Sequence, residues 1–231
     1  MSKLIGIGVG PGDPELITLK AIKALGSLDV LVVPTGKQGG ESEAYNIAKG
    51  YVPSSIELLK RTFPMTHDKK LMMDEIQRIA DEIEVLILKG ATVGFLTLGD
   101  PMLFSTYGYL IKCLSGKVPI TTIAGITSYT AIASGENRIL TEGDNPLIIY
   151  PCVGDLIGLE MHLSSKDSLV LMKVYRTFDE VKRLILKHGL KSKALIVSNY
   201  GKPDAVVHGS IETINKESLS YFTTILINKE V

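Results

Sequence analysis

The 231-residue sequence predicts an α/β protein built as two α/β halves. Three observations carry that expectation. Apolar runs of strand length alternate with longer segments of helical periodicity, the pattern of crossover helices joining the strands of largely parallel sheets. The first apolar run ends in a glycine corner that opens a helix. A Ser115-Gly116-Lys117 break then divides the elements into two comparable sets, giving expected domains at residues 1–115 and 118–231.

Residues 4–9 (LIGIGV) read as a buried first strand closed by glycines. Asp13 is placed to cap a helix entered through Pro14, whose missing N–H is no loss in a first turn. Leu16, Leu19, Ala21, Ile22 and Leu25 form that helix's apolar face, and Gly26 stops it. Residues 30–33 are an unbroken apolar run ended by Pro34, as in a strand covered on both faces. A second helix is expected over 42–49. The spacing of Leu71, Ile76, Ile79, Ala80, Ile83, Leu86 and Ile87 predicts a long helix over 67–89. Residues 92–98 are again strand-like and lead into Gly99-Asp100-Pro101, with a helix over 104–114. In the second half, strands are expected at 118–123, 147–150, 168–172, 194–198, 205–208 and 223–228. Helices are expected near 128–134 and at 178–187.

Composition narrows the function. Lys+Arg and Asp+Glu each total 25, so the chain lacks the basic field of a nucleic-acid binder and the polybasic patch of a membrane-surface protein. No apolar stretch approaches the length of a membrane-spanning helix, and the N-terminus does not read as a signal peptide. The two cysteines, Cys113 and Cys152, form neither a CxxC nor a metal-like pattern, which fits a reduced, cytoplasmic protein. The four histidines are scattered, and no GxSxG or HExxH occurs, so no metal is expected. Chemistry carried by a cofactor is favoured.

Three segments can carry that cofactor. In Gly6-Ile7-Gly8-Val9-Gly10-Pro11-Gly12-Asp13 the glycine spacing fails the GxGxxG rule, and Asp29 precedes the second strand where a ribose-binding acid would follow it. A dinucleotide-dependent oxidoreductase is therefore disfavoured. The corner is either a ligand cradle or a tight turn needing positive φ. Gly99-Asp100-Pro101-Met102 lies where open α/β sheets bind ligands, with Asp100 either meeting a ligand or capping the next helix. Thr127 and Ser128 either cap a helix or bond a ligand. A catalytically silent binding module is opposed by having three such loops at strand ends.

Taken in order, residues 6–18 (GIGVGPGDPELIT), 99–104 (GDPMLF) and 124–128 (AGITS) resemble the signature loops of the tetrapyrrole methylases, S-adenosylmethionine (SAM) enzymes of corrinoid and sirohaem synthesis. The resemblance spans essentially the whole chain. The run GVGPGDPELITLKA and the RTFPMT segment look most like the branch that methylates C20 of precorrin-2 or cobalt-factor II. A methylase of uroporphyrinogen III or of a later precorrin is the nearest alternative. The resemblance implies two α/β domains with a ligand cleft between them, a cytoplasmic homodimer, SAM as cofactor and S-adenosylhomocysteine as product. It implies that Gly99, Asp100, Met102, Thr127, Ser128, Met172, Lys173, Asn199, Tyr200 and Thr224 bind the cofactor. Lys202-Pro203-Asp204 departs from the Gln-centred motif of several relatives. The substrate is a small-molecule tetrapyrrole rich in carboxylates, for which Arg61, Arg138 and Arg176 are the expected clamps, since a guanidinium holds a carboxylate bidentately, and Pro11 is expected to touch the substrate as well. The catalytic proton acceptor is left unassigned.

Overall fold

A computed structural model describes residues 2–36, 40–63 and 68–230. Its contacts separate two compact units, Met1–Thr127 and Ser128–Val231.

The first unit holds a five-stranded, wholly parallel sheet of β1 (Leu4–Gly8), β2 (Val30–Thr35), β3 (Glu57–Thr62), β4 (Val93–Thr97) and β5 (Ile120–Ile123), in the order β3-β2-β4-β1-β5. Both faces are covered, which is why β1, β2 and β4 read as near-continuous apolar runs. One face packs Ile5, Ile7, Leu31, Val33 and Leu96 against α1 (Leu19–Leu25) and α2 (Glu43–Ala48). The other packs Leu4, Val32, Val93 and Phe95 against α3 (Lys69–Leu88) and α4 (Tyr107–Leu114). α3 buries Ile76, Ile79, Ala80, Ile83 and Ile87 as its spacing predicts, whereas Leu71 is exposed. Asp68 caps it by accepting from the Lys70 and Leu71 N–H groups.

Several expectations are corrected. The helix expected from Pro14 is broken: Pro14–Leu16 form one 3-10 turn capped by Asp13, Ile17 is extended, and α1 restarts with Thr18 accepting from the Ala21 N–H. Leu19 consequently faces solvent rather than the core. The strand expected at 118–123 belongs to the first sheet, because β5 is hydrogen-bonded to β1, so the division falls between Thr127 and Ser128 rather than at Ser115–Lys117.

The second unit holds β6 (Leu147–Pro151), β7 (Ser168–Met172), β8 (Ala194–Ser198), β9 (Val206–His208) and β10 (Thr223–Ile227) in the order β6-β7-β10-β8-β9. This sheet is mixed rather than largely parallel. β6 and β7 are parallel, but β10 inserts antiparallel between β7 and β8, and β9 adds antiparallel to β8. One face is covered by α6 (Ile157–Ser164) and α7 (Phe178–Lys187), the other by α5 (Ser128–Gly135).

Candidate functional site

In the first unit every strand ends at the same edge, and three loops meet there. Gly10 and Gly99 form a backbone bridge, the Gly99 N–H donating to Gly10 O at 2.8 Å. Both have left-handed φ, +82° and +67°, open to glycine with little strain. The Asp100 carboxylate ties this loop to the one after β5: Oδ1 accepts from the Met102 N–H of its own loop at 2.8 Å and Oδ2 from the Gly125 N–H at 2.9 Å. The loops touch through bare backbone. A Cβ on Gly8 would lie 2.5 Å from Gly125 N, and one on Gly125 would lie 2.0 Å from Gly99 O. On Gly99 itself a Cβ would meet only Ile126 O at 3.9 Å, so that side of the loop is open. Met102 and Phe104 stand exposed beside it.

The electrostatics of this corner are distinctive. Segments 6–18, 99–106 and 120–130 contain no lysine or arginine, and their only charged side chains are Asp13, Glu15 and Asp100. A phosphate-rich dinucleotide would find no counter-charge there, whereas a cationic ligand meets only carboxylates and dipoles. Below the loops Tyr107 is fully buried. Its hydroxyl is 3.1 Å from Thr122 Oγ1, its ring fills the space that a Cβ on Gly6 would need, and burial pushes its phenol above the usual range.

In the second unit, β7 and β8 point the same way, and β10 enters from the edge where they end. The register Thr223↔Ser198 and Ile225↔Leu171 therefore gathers Met172, Lys173, Asn199, Tyr200 and Thr224 at one edge. Lys173 and Asn199, directly after the two strands, are left-handed at φ +60° and +54°. Asn199 is held within its own turn, donating to Asp204 Oδ2 at 2.7 Å and accepting from the Ser220 hydroxyl. Tyr200 packs on α5, its hydroxyl occupying the position a Cβ on Gly135 would take. Thr224 is buried within the sheet.

Gly99, Asp100, Met102 and Thr127 thus lie in or beside the first unit's loop cluster, and Ser128 opens the second unit. Pro11 is buried in the first of the three loops. The arginines are placed differently. Arg61, near the end of β3, is engaged bidentately by Glu82 of α3, which holds its guanidinium above and the Glu82 carboxyl below their ordinary ranges. Arg138 is tied into its own unit, with Nη2 donating to Lys193 O at 3.0 Å and Nε buried without a partner among the described residues. Arg176 is exposed after β7. Pro64 and Met65 of the RTFPMT segment lie outside the described residues. Cys152 is buried, which pushes its thiol up to about 12, and both cysteines are free. Among the described residues no cluster of His, Cys, Asp or Glu is arranged to hold a metal, and no helix is long and apolar enough to cross a membrane.

Two features escaped sequence reading. Gly125 is the partner of Asp100, a link that only proximity in the fold reveals. Thr97, which ends β4 in register with Gly8, carries a buried hydroxyl with no hydrogen-bond partner among the described residues. No spacing rule marks such a group.

An all-parallel α/β sheet with a glycine-built loop cluster, joined to a mixed sheet with strained strand ends, defines a class that comparison identifies. The family model of Tetrapyrrole (Corrin/Porphyrin) Methylases matches residues 3–215, and the chain belongs to that family. Among its relatives is a cobalt-precorrin-2 C(20)-methyltransferase of Salmonella typhimurium, 35% identical over 99% of this chain and 97% of that protein. Another is a precorrin-2 C(20)-methyltransferase of Sinorhizobium sp, 29% identical over 98% and 95%. A cobalt precorrin-4 methyltransferase of cobalamin biosynthesis shares the fold at a TM-score of 0.76 with 20% identity, over 98% of this chain and 94% of that one. A Thermus thermophilus uroporphyrin-III C-methyl transferase, solved with S-adenosyl homocysteine, matches at 0.67 and 20%, over 99% and 98%. The α/β architecture and family expected from the signature loops both hold.

Proposed function

We propose that this chain is a SAM-dependent C-methyltransferase acting on C20 of precorrin-2, in its cobalt-loaded form. The observation that carries the cofactor reading is the first unit's loop cluster, packed backbone to backbone and free of basic side chains, with its open side at Gly99. That donor set suits a cationic sulfonium and opposes a dinucleotide. The position of methylation rests on the full-length relatives named for C(20), and the cobalt form on the one at 35% identity.

In this reading Gly99, Asp100, Met102 and Thr127 hold the cofactor in the first unit. Ser128, Met172, Lys173, Asn199, Tyr200 and Thr224 are its contacts in the second. SAM, when bound, supplies an electrophilic methyl group. The residues' task is orientation and exclusion of water, and fixing reacting groups in line supplies about 7–11 kcal/mol. Asp100 acts mainly by holding the loops in place, because both of its oxygens already accept backbone N–H groups. Arg61, Arg138 and Arg176 are assigned to the substrate's carboxylates, with Arg61 sharing its charge with Glu82, and Pro11 is assigned to the substrate as an apolar contact. The family resemblance also supports a homodimer working in the cytoplasm, which sedimentation and fractionation test.

The deciding experiment incubates the chain with methyl-labelled SAM and either cobalt-loaded or metal-free precorrin-2, then locates the label on the macrocycle. Label at C20 from the cobalt substrate is expected. Label at another carbon, or at C20 from the metal-free substrate alone, refutes the assignment in its respective part.

A further inference from the structure

Away from the glycine loops, the first unit contains a cavity of about 500 Å³ at the carboxyl ends of β2 and β3, lined chiefly by Thr35, Lys60, Arg61, Thr62, Glu75 and Arg78. Its charges do not cancel. Arg61 is matched by Glu82, and Arg78 by Glu75 one turn earlier on α3. The Lys60 ammonium has no carboxylate or carbonyl partner among the described residues, which leaves one positive charge over. Two hydroxyls stand beside it: Thr35 Oγ1 and Thr62 Oγ1 lie 3.3 Å apart, and Thr35 also donates to Arg61 O at 3.4 Å. Thr35 spends its one hydroxyl proton on Arg61 O, so Thr62 donates to Thr35 Oγ1 and the two hydroxyls satisfy each other.

We propose that this cavity is a subsite for one peripheral carboxylate of the tetrapyrrole substrate, with Lys60 as its counter-charge and Arg78 as a further donor. The inference rests on the tetrapyrrole reading above. One uncompensated charge matches a carboxylate better than a doubly charged phosphate, and ligands of open α/β sheets gather at this edge of the strands. The two acids have a second consequence. Glu75 and Glu82 occupy the arginines until a ligand carboxylate arrives, so the subsite's affinity depends on how strongly the chain's own acids compete for them.

The test titrates the chain, loaded with S-adenosylhomocysteine, with uroporphyrin and separately with its uncharged methyl ester, followed by porphyrin fluorescence. Lys60→Met is expected to weaken uroporphyrin binding about fivefold, and Glu75→Gln to tighten it by a similar factor, the size expected of a solvent-screened charge pair. Neither variant is expected to change affinity for the ester or for S-adenosylhomocysteine. Inorganic phosphate added as a competitor should displace uroporphyrin poorly, and phosphate binding that outcompetes it refutes the carboxylate assignment. Equal uroporphyrin affinity in Lys60→Met and the unaltered chain, with S-adenosylhomocysteine still bound, overturns the subsite alone. Failure of the unaltered chain to bind S-adenosylhomocysteine overturns the functional reading and the subsite together.

Discussion

Gly125→Ala isolates the contact on which the loop cluster depends. Gly125 is not among the glycines with positive φ, so alanine can adopt its backbone conformation and the change is purely one of space. The new methyl would sit 2.0 Å from Gly99 O and 2.9 Å from both the C and Cα of Gly8. All three neighbours are backbone, and no side chain can swing away. The Gly99 carbonyl has to retreat by about 1 Å merely to reach the closest separation that Cβ atoms tolerate. That retreat strains the Gly10–Gly99 bridge and the Asp100 bond to the Gly125 N–H. Overpacking costs about 1–3 kcal/mol. Losing a charged hydrogen bond adds about 1.5–3 kcal/mol. For a chain of this size the combined effect lowers Tm by roughly 10 °C. Gly108→Ala is the control: Gly108 lies within α4, a Cβ there meets nothing within 4 Å, and alanine is the better helix former by about 0.5–1 kcal/mol. Differential scanning calorimetry should show Gly125→Ala melting lower and Gly108→Ala slightly higher. Calorimetric titration should show S-adenosylhomocysteine binding lost only in the former. Unchanged Tm and affinity in Gly125→Ala would refute the backbone-to-backbone account of the cluster.

Asp100→Asn keeps the shape but places an NH2 group against one of two backbone N–H donors, so S-adenosylhomocysteine affinity should fall at least tenfold, nearly as far as in Asp100→Ala; full affinity in the asparagine variant would show that the carboxylate's two bonds are dispensable. Thr97→Val removes a buried hydroxyl that has no partner, so thermal melting of the ligand-free chain should show it no less stable and up to about 1 kcal/mol more so; a clear loss of stability would show that the hydroxyl is satisfied. Burial holds His208 below its ordinary value of 6.5, with Nε2 2.8 Å from Ser198 Oγ. The unfolded chain therefore takes up that proton first, and stability should decline as pH falls through 6.5 towards the lower folded value. Urea titrations should show a shallower decline in His208→Gln, and identical pH slopes would remove His208 as the cause.

Strands and helices were legible wherever one covering environment dictated a simple pattern. β2 and β4, covered on both faces, are continuous apolar runs, and α3 lays five buried residues on one stripe. Legibility failed where the environment was mixed. β3, with the sequence ELLKRT, is an edge strand largely open to solvent, so it carries no apolar signal and was not expected. α6, with the sequence IGLEMHLS, has apolar residues all round and so lacks the one-sided periodicity that marks a helix. The antiparallel insertion of β10 between β7 and β8 follows from pairing across twenty-five residues or more, which local pattern does not encode. The site divided in the same way. Gly99-Asp100-Pro101 announced itself as a segment, but the acceptor role of Asp100 depends on Gly125, twenty-five residues later. Arg61 was expected to meet a carboxylate of the substrate, and the carboxylate that engages it in the structure belongs to the chain itself, Glu82 on α3.

The backbone supplies an independent reason to place function at these edges. Among the described residues four non-glycines adopt positive φ: Phe104, Asn137, Lys173 and Asn199. Asparagine tolerates that region, but a lysine or phenylalanine there costs roughly 1–2 kcal/mol against the ordinary conformation. Glycine would remove most of that cost at Lys173, which follows β7. Strain of this kind persists only where the surroundings enforce it. Phe104 adjoins the Asp100 loop of the first unit, while Lys173 and Asn199 follow the ends of β7 and β8 in the second. Phe104 thus falls in one of the signature loops, and Lys173 and Asn199 are residues that the family resemblance expects at the cofactor. The coincidence of strained backbone with those segments agrees with the cofactor contacts proposed there.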